Sequence, residues 1–293
     1  MGPRVRDVVS ATQTADQKDW FSFDHRDMMV FILVMSLHGL QSMITELLPE
    51  FSVGGLGVEI GPFWFVAMSV ALLFRSFWAC LAIPVGGIVF GEILIGDFSA
   101  LGAVEGLIVI TTSWFFVMSL ITDPESPTQI ALLGFLAKAM EETAAWFIDV
   151  GKFYIGVEEL SSIAWLPQTV WATEGMGAFV QIIIAGIIFG AVPTYFLYPR
   201  LRGKIEPLLG MDPAAGRDGP MITTTAIRRF AAWLVLLPIA FVIEAISETS
   251  GGLITFTPQF VESYGQAFLL VPITVAAILA FGLLYYRSQR SAS

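Results

Sequence analysis

Apolar residues along the chain come in long runs rather than in alternation with polar ones. Eight runs approach or reach the about 20 residues that a membrane-spanning helix needs: residues 28–48, 61–74, 77–95, 101–121, 129–155, 177–198, 230–246 and 266–286. The second run is short and Arg75 follows it almost at once, so either this hairpin is tilted or Arg75 snorkels. The fifth run is the most polar. The pattern predicts an all-α integral membrane protein with about eight transmembrane helices. It divides the chain into a polar arm (1–27), a six-helix bundle (28–199), a basic loop rich in Gly and Pro (200–227) and a two-helix extension with a short tail (228–293).

Composition agrees with the runs. Hydrophobic residues are 56% of the chain and charged residues 14%, against about 25% charged in soluble domains. The arm lacks the apolar stretch and cleavage site of a signal peptide. Eight spans with a cytoplasmic N-terminus put Arg4, Arg6, Lys18, Arg26, Arg75, Arg200, Arg202, Lys204, Arg217, Arg228, Arg229, Arg287 and Arg290 on the inner side. The two remaining basic residues, Lys138 and Lys152, lie on the fifth run, so no basic residue falls in an outer loop. The positive-inside rule therefore places both termini in the cytoplasm of a multi-pass cell-membrane protein. The outer loops carry Glu50, Glu59, Asp97, Glu158, Glu159, Glu174, Glu248 and Glu262, either as a solvated surface or as a vestibule that attracts cations.

Several functions find no support. The net charge of −10 argues against nucleic acid as a partner. A lone cysteine, Cys80, and two histidines, His25 and His38, are too few for a disulfide, a cysteine cluster or a histidine-rich centre. There is no phosphate-binding Gly-rich loop, no HExxH and no GxSxG. The chain is expected to be no enzyme and to need no metal or cofactor.

The polar chemistry sits on two helix faces. On the fifth run, Lys138, Glu141, Glu142, Asp149 and Lys152 fall within an arc of about 100°. Each charge at bilayer depth costs at least about 2.5–3.5 kcal/mol, so the stripe must face a partner, a pocket or water. In one reading, Lys138 pairs with Glu142 and Asp149 with Lys152, or part of the helix lies along the interface. In the other, the stripe lines a ligand cavity. On the first run, His38, Gln41, Ser42 and Thr45 share a face that matches it. Glu92, Glu105, Gln181 and Glu244 add polar groups from other runs. In this topology the candidate substrate-binding residues His38, Gln41, Glu92, Glu105, Lys138, Glu142, Asp149 and Gln181 converge on the bundle, many in its outer half. Carboxylates outnumber bases there, which favours a cationic or amine-bearing ligand.

Residues 50–74, EFSVGGLGVEIGPFWFVAMSVALLF, and 81–98, LAIPVGGIVFGEILIGDF, resemble the substrate-binding (S) component of energy-coupling factor (ECF) transporters. So does FGAVPTYFLYPRLRGKIEP, residues 189–207, which is similar to that family's last helix running into a basic tail. The resemblance covers about residues 28–207 and implies a six-helix bundle with its ligand in the outer half. It also implies energy supplied by a transmembrane coupling subunit and ATPase subunits. Here the turn after the second helix reads Arg75-Ser76-Phe77-Trp78 rather than Gly and Pro, and the first helix lacks the family's small-residue docking face. The expected function is a membrane-embedded solute-binding subunit that captures a small molecule from the outer side. Two alternatives stand beside it: a structural or assembly subunit whose charged stripe pairs with a partner helix, and a stand-alone cation-coupled carrier using Glu142 and Asp149.

Overall fold

The computed structural model describes residues 23–46, 51–53, 56–58, 63–157, 159, 166–209, 224–251 and 255–256, with scattered positions between 264 and 282. The expectations placed on the polar arm, on Glu50, Glu59, Glu158 and Glu262, on the centre of the basic loop and on most of the eighth run lie outside the described residues.

The described chain is α-helical apart from short strand pairs. Helix α1 spans His25–Glu46. Asp24 and Asp27 open it with reciprocal backbone-to-carboxylate hydrogen bonds, the pattern of a capping box. A small hairpin follows, β1 (Phe51–Val53) against β2 (Leu56–Val58), with Phe51 opposite Val58. Helix α2 covers residues 65–74, α3 is Phe77–Ile93, and α4 is Ala100–Met118. Helix α5 is Pro127–Tyr154, capped by Ser126, whose side chain accepts from the Gln129 N–H, with Pro127 in its first turn. Helix α6 is Val170–Leu201, a short α7 is Ile205–Leu208, and α8 is Thr224–Ser250.

Four of these helices are long and apolar enough to cross a membrane: α1, α4, α6 and α8. Helix α3 is apolar but shorter, and α5 is long but carries the charged stripe. The helix predicted over 177–198 begins earlier, at Val170. Thr169 caps it by accepting from the Ala172 N–H, and its first turns hold polar Thr173 and Glu174, which an apolar run excludes.

The short second run is an internal helix. From Ala67 to Phe74 every residue of α2 is buried. Ten residues at about 1.5 Å each reach about half of a 30 Å hydrocarbon layer. Surrounding helices shield α2, so it has no need to span alone. It stops at Arg75, whose φ of 51° is left-handed. The Arg75 guanidinium donates to the Ile121 carbonyl oxygen at 3.1 Å, tying this turn to the loop after α4. Ser76 then caps α3 and donates to Asp27 at the start of α1.

These contacts show how the helices alternate. One end of the bundle gathers the start of α1, the Arg75–Ser76 turn, the loop after α4, the end of α6 and the start of α8. Tyr198 donates to the Pro124 carbonyl oxygen, Arg202 pairs with Glu125 at 2.7 Å, and Arg229 donates to the Phe115 carbonyl oxygen. Arg26, Arg75, Arg200, Arg202, Arg228 and Arg229 all sit toward this end. The opposite end holds a second strand pair, β3 (Phe98–Ser99) with β4 (Thr255–Phe256), and the contact between Ser99 and Ser247.

Helix α8, read from sequence as part of an extension, packs along the bundle against α4 and α5. Trp233 donates to the Ser113 hydroxyl at 2.9 Å, and the Arg229 guanidinium lies 3.7 Å from the Phe115 ring centroid. Val109, Ala144, Ile148, Trp233 and Ala240 form a buried cluster shared by the three helices. Gly151 leaves room for the Phe241 ring. The outer faces of α6 and α8 stay apolar, with Phe179, Ile188, Phe196, Val235 and Val242 exposed, as lipid contact requires.

Candidate solute-binding cavity

Where α1 and α3 end and α4 begins, five helices enclose a cavity of about 270 Å³. Its wall joins His38 and Ser42 of α1, Trp64 at the entry to α2, Pro84, Gly87, Gly91 and Glu92 of α3, Gly102 and Gly106 of α4, and Lys138 and Glu141 of α5.

The shape follows from local sequence. Pro84 has no N–H to give to the helix ladder, and beyond it α3 winds as a π-helix over Gly87–Ile93. The Leu94 N–H there reaches back five residues to the Val89 carbonyl oxygen. Such wide turns concentrate at functional sites. Glycines keep the wall open: a Cβ added at Gly106 would meet nothing within 4 Å, and one at Gly91 would only touch Ser42 at 3.6 Å. Deeper between α1 and α3, a Cβ at Gly86 would run into the Met35 carbonyl oxygen, and one at Gly39 into the Phe90 ring. The two helices therefore close tightly at one level and part at the next.

Electrostatics centre on Lys138. Its ammonium lies 2.7 Å from Glu141 Oε1 and 2.5 Å from Glu142 Oε1, and 4.2 Å from the Trp64 ring centroid. Two carboxylates and an aromatic face take its three directions. Trp64 in turn stacks on Trp114 at 5.6 Å and meets the His38 ring at 5.0 Å. His38 and Trp64 are 3% and 2% exposed, yet His38 Nδ1 and Trp64 Nε1 have no hydrogen-bond partner among the described residues. Glu141 Oε2 is buried in the same condition. A buried polar atom left unpaired costs about 1–3 kcal/mol, and the wall of this cavity carries three of them among the described residues.

The structure divides the predicted site residues. His38, Glu92 and Lys138 line the cavity; Glu142 stands behind Lys138 as its second partner. Gln41 is buried on α1 outside the lining, with neither amide atom hydrogen-bonded among the described residues. Gln181 lies on α6, also away from the lining. Asp149 belongs elsewhere: it pairs with Lys152 at 2.9 Å, and Lys152 also approaches Glu244 of α8 at 3.9 Å. Glu105 faces this second group, within electrostatic reach of Glu244, Asp149 and Lys152. The single stripe on α5 thus serves two places. Its first half meets the cavity and its second half meets α8, because about three helical turns separate Lys138 from Asp149.

The wall also includes residues that the sequence-based site omits. Glu141 and Ser42 were visible on the polar faces. Trp64 carried no signal, since an indole at the edge of an apolar run is ordinary. Gly87 and Gly91 bring this stretch of α3 up to Ser42 of α1, which a Cβ at either would meet at ordinary contact distance.

The sequence also matches, over residues 29–293, a family described as a family of unknown function, DUF8171. No curated protein and no solved structure matches the chain.

Proposed function

We propose, for a chain that belongs to the DUF8171 family, that it is a multi-pass membrane protein binding a small amine-bearing or cationic solute in the cavity beside Lys138. The observation that carries this reading is the conjunction of an open cavity of about 270 Å³ with buried, unpaired His38 Nδ1 and Trp64 Nε1 in its wall. The volume lies near the low end of ligand pockets, about 300–1,000 Å³, so the solute is small. The lining supplies carboxylate acceptors at Glu92 and Glu141, a donor at the Trp64 indole N–H, and the His38 imidazole, which accepts or donates according to its tautomer. That pattern suits an ammonium or amidinium group bearing one further acceptor.

The chain has no nucleotide-binding motif, so energy for uptake comes from partner subunits: a membrane coupling subunit and ATPases, as the resemblance to ECF S components implies. Eight spans with cytoplasmic termini put the cavity in the outer half of the bilayer, facing incoming solute. The assembly alternative loses its main support. Lys138 and Lys152 both find carboxylates within the chain, so the α5 stripe needs no partner helix to neutralise it.

The test is native mass spectrometry of the chain extracted gently from its own membranes. A small bound mass in the wild type, lost in His38→Ala and kept in Asp149→Ala, supports the reading. Equal loss in both variants, or no bound mass in any sample, contradicts it.

A further inference from the structure

Lys138 carries one positive charge but is held by two carboxylates, Glu141 and Glu142. The buried group therefore bears one negative charge in excess. Within a bilayer such a charge must be neutralised. The chain supplies no second cation at the cavity wall among the described residues; Lys152 is taken by Asp149, with Glu244 nearby. A proton or a cation in the cavity must supply the balance. Of the two carboxylates only Glu141 lines the cavity, and its Oε2 is buried there with no hydrogen-bond partner among the described residues.

We propose that Glu141 is a proton-exchanging countercharge: it holds a proton while the cavity lacks a cation and releases it when a nitrogen cation enters. This rests on the cavity reading above. The step balances simply. The O–H bond of the Glu141 carboxyl breaks, its proton passes to water, and the carboxylate that remains pairs with the incoming ammonium or guanidinium. No covalent bond forms to the solute. Other titratable or charged groups facing Glu141 are His38 from α1, Glu92 from α3 and Glu105 from α4, with Lys138 and Glu142 on α5 itself. Helix α8 brings Glu244 within electrostatic reach of Glu105 and close to Gly102 of the cavity wall, while the entry to α2 offers Trp64 and α6 offers Gly186 beside Lys138. Glu105 and Glu92 add negative charge, which favours a proton on Glu141 in the empty state. Occupancy by the solute would then be read out as a released proton.

The experiment is calorimetry on the full chain in lipid nanodiscs, with methylammonium and guanidinium chloride as probes. Each titration is run near pH 7 in buffers of different ionisation enthalpy. The wild type is expected to release about one proton per cation bound, and its affinity to rise about tenfold per pH unit until the carboxyl has ionised. Glu141→Gln should bind each probe more weakly, with no proton released and an affinity flat in pH. Binding of either probe by the wild type with no proton released, and with affinity flat in pH, overturns the exchange and leaves the cavity reading standing. Proton release retained in Glu141→Gln places the exchanging proton on another group and also overturns it. Failure of both probes to bind the wild type overturns the cation-binding cavity itself.

Discussion

At the scale of single residues, Lys138 is held by the groups it holds. Removing it strands two buried carboxylates, and breaking a buried ion pair costs about 3–5 kcal/mol. Lys138→Met should therefore lower the unfolding temperature sharply. Combining it with Glu141→Gln and Glu142→Gln should recover most of that loss, because neutral groups no longer need the ammonium. Thermal unfolding in detergent checks this, and a triple variant no more stable than Lys138→Met would sink it. Trp64→Phe keeps the aromatic face for Lys138 and deletes only an unpaired N–H. It should leave stability unchanged within about 1 kcal/mol while weakening solute binding by about 0.5–1.5 kcal/mol. Much of this chemistry was legible in sequence: the spacing of Lys138, Glu141 and Glu142 and the matching face around His38 both appear in the chain. What spacing could not show is which charge meets which helix, since Asp149 and Lys152 share the arc of Lys138 but lie about three to four turns further along.

At the scale of elements, close approach and internal burial decide the arrangement. Helices α1 and α3 pack so tightly at Gly39 and Gly86 that a side chain at Gly86 meets backbone. Gly86→Leu should destabilise the fold by at least about 1–3 kcal/mol through overpacking. Gly177→Ala on α6, where a Cβ meets nothing within 4 Å, is the matched control and should be neutral or stabilising. Similar melting temperatures for the two variants would contradict this packing. The apolar runs located the helices well because hydropathy reports long buried or lipid-facing stretches. They read α2 as a short span without showing that other helices enclose it, because burial inside protein and burial in lipid select the same residues. They also shortened α6, whose capped first turns are polar.

At the scale of the whole molecule, helix alternation collects the arginines of the described chain at one end and the cavity toward the other. The docking of α8 ties that helix to α4 and α5, within a family match that runs to residue 293. Sequence could not reveal this, because Trp233–Ser113 and Lys152–Glu244 join residues far apart in the chain. The proposed orientation has a direct consequence. Cys80 is fully buried, so an impermeant maleimide should not label the native protein in sealed cells. Asp97→Cys should be labelled from outside and Gly203→Cys only after permeabilisation; the reverse pattern would invert the topology. The central claim, that the cavity beside Lys138 takes a small solute, is tested most directly by filling it. Gly106 lines the cavity with open space before it, so Gly106→Leu should occupy the solute's place while gaining helix propensity of up to about 1 kcal/mol. Native mass spectra of this variant beside the wild type are expected to show an equally folded chain that has lost the bound small mass. A Gly106→Leu protein that retains the same bound mass as the wild type would mean that the solute does not lie in this cavity.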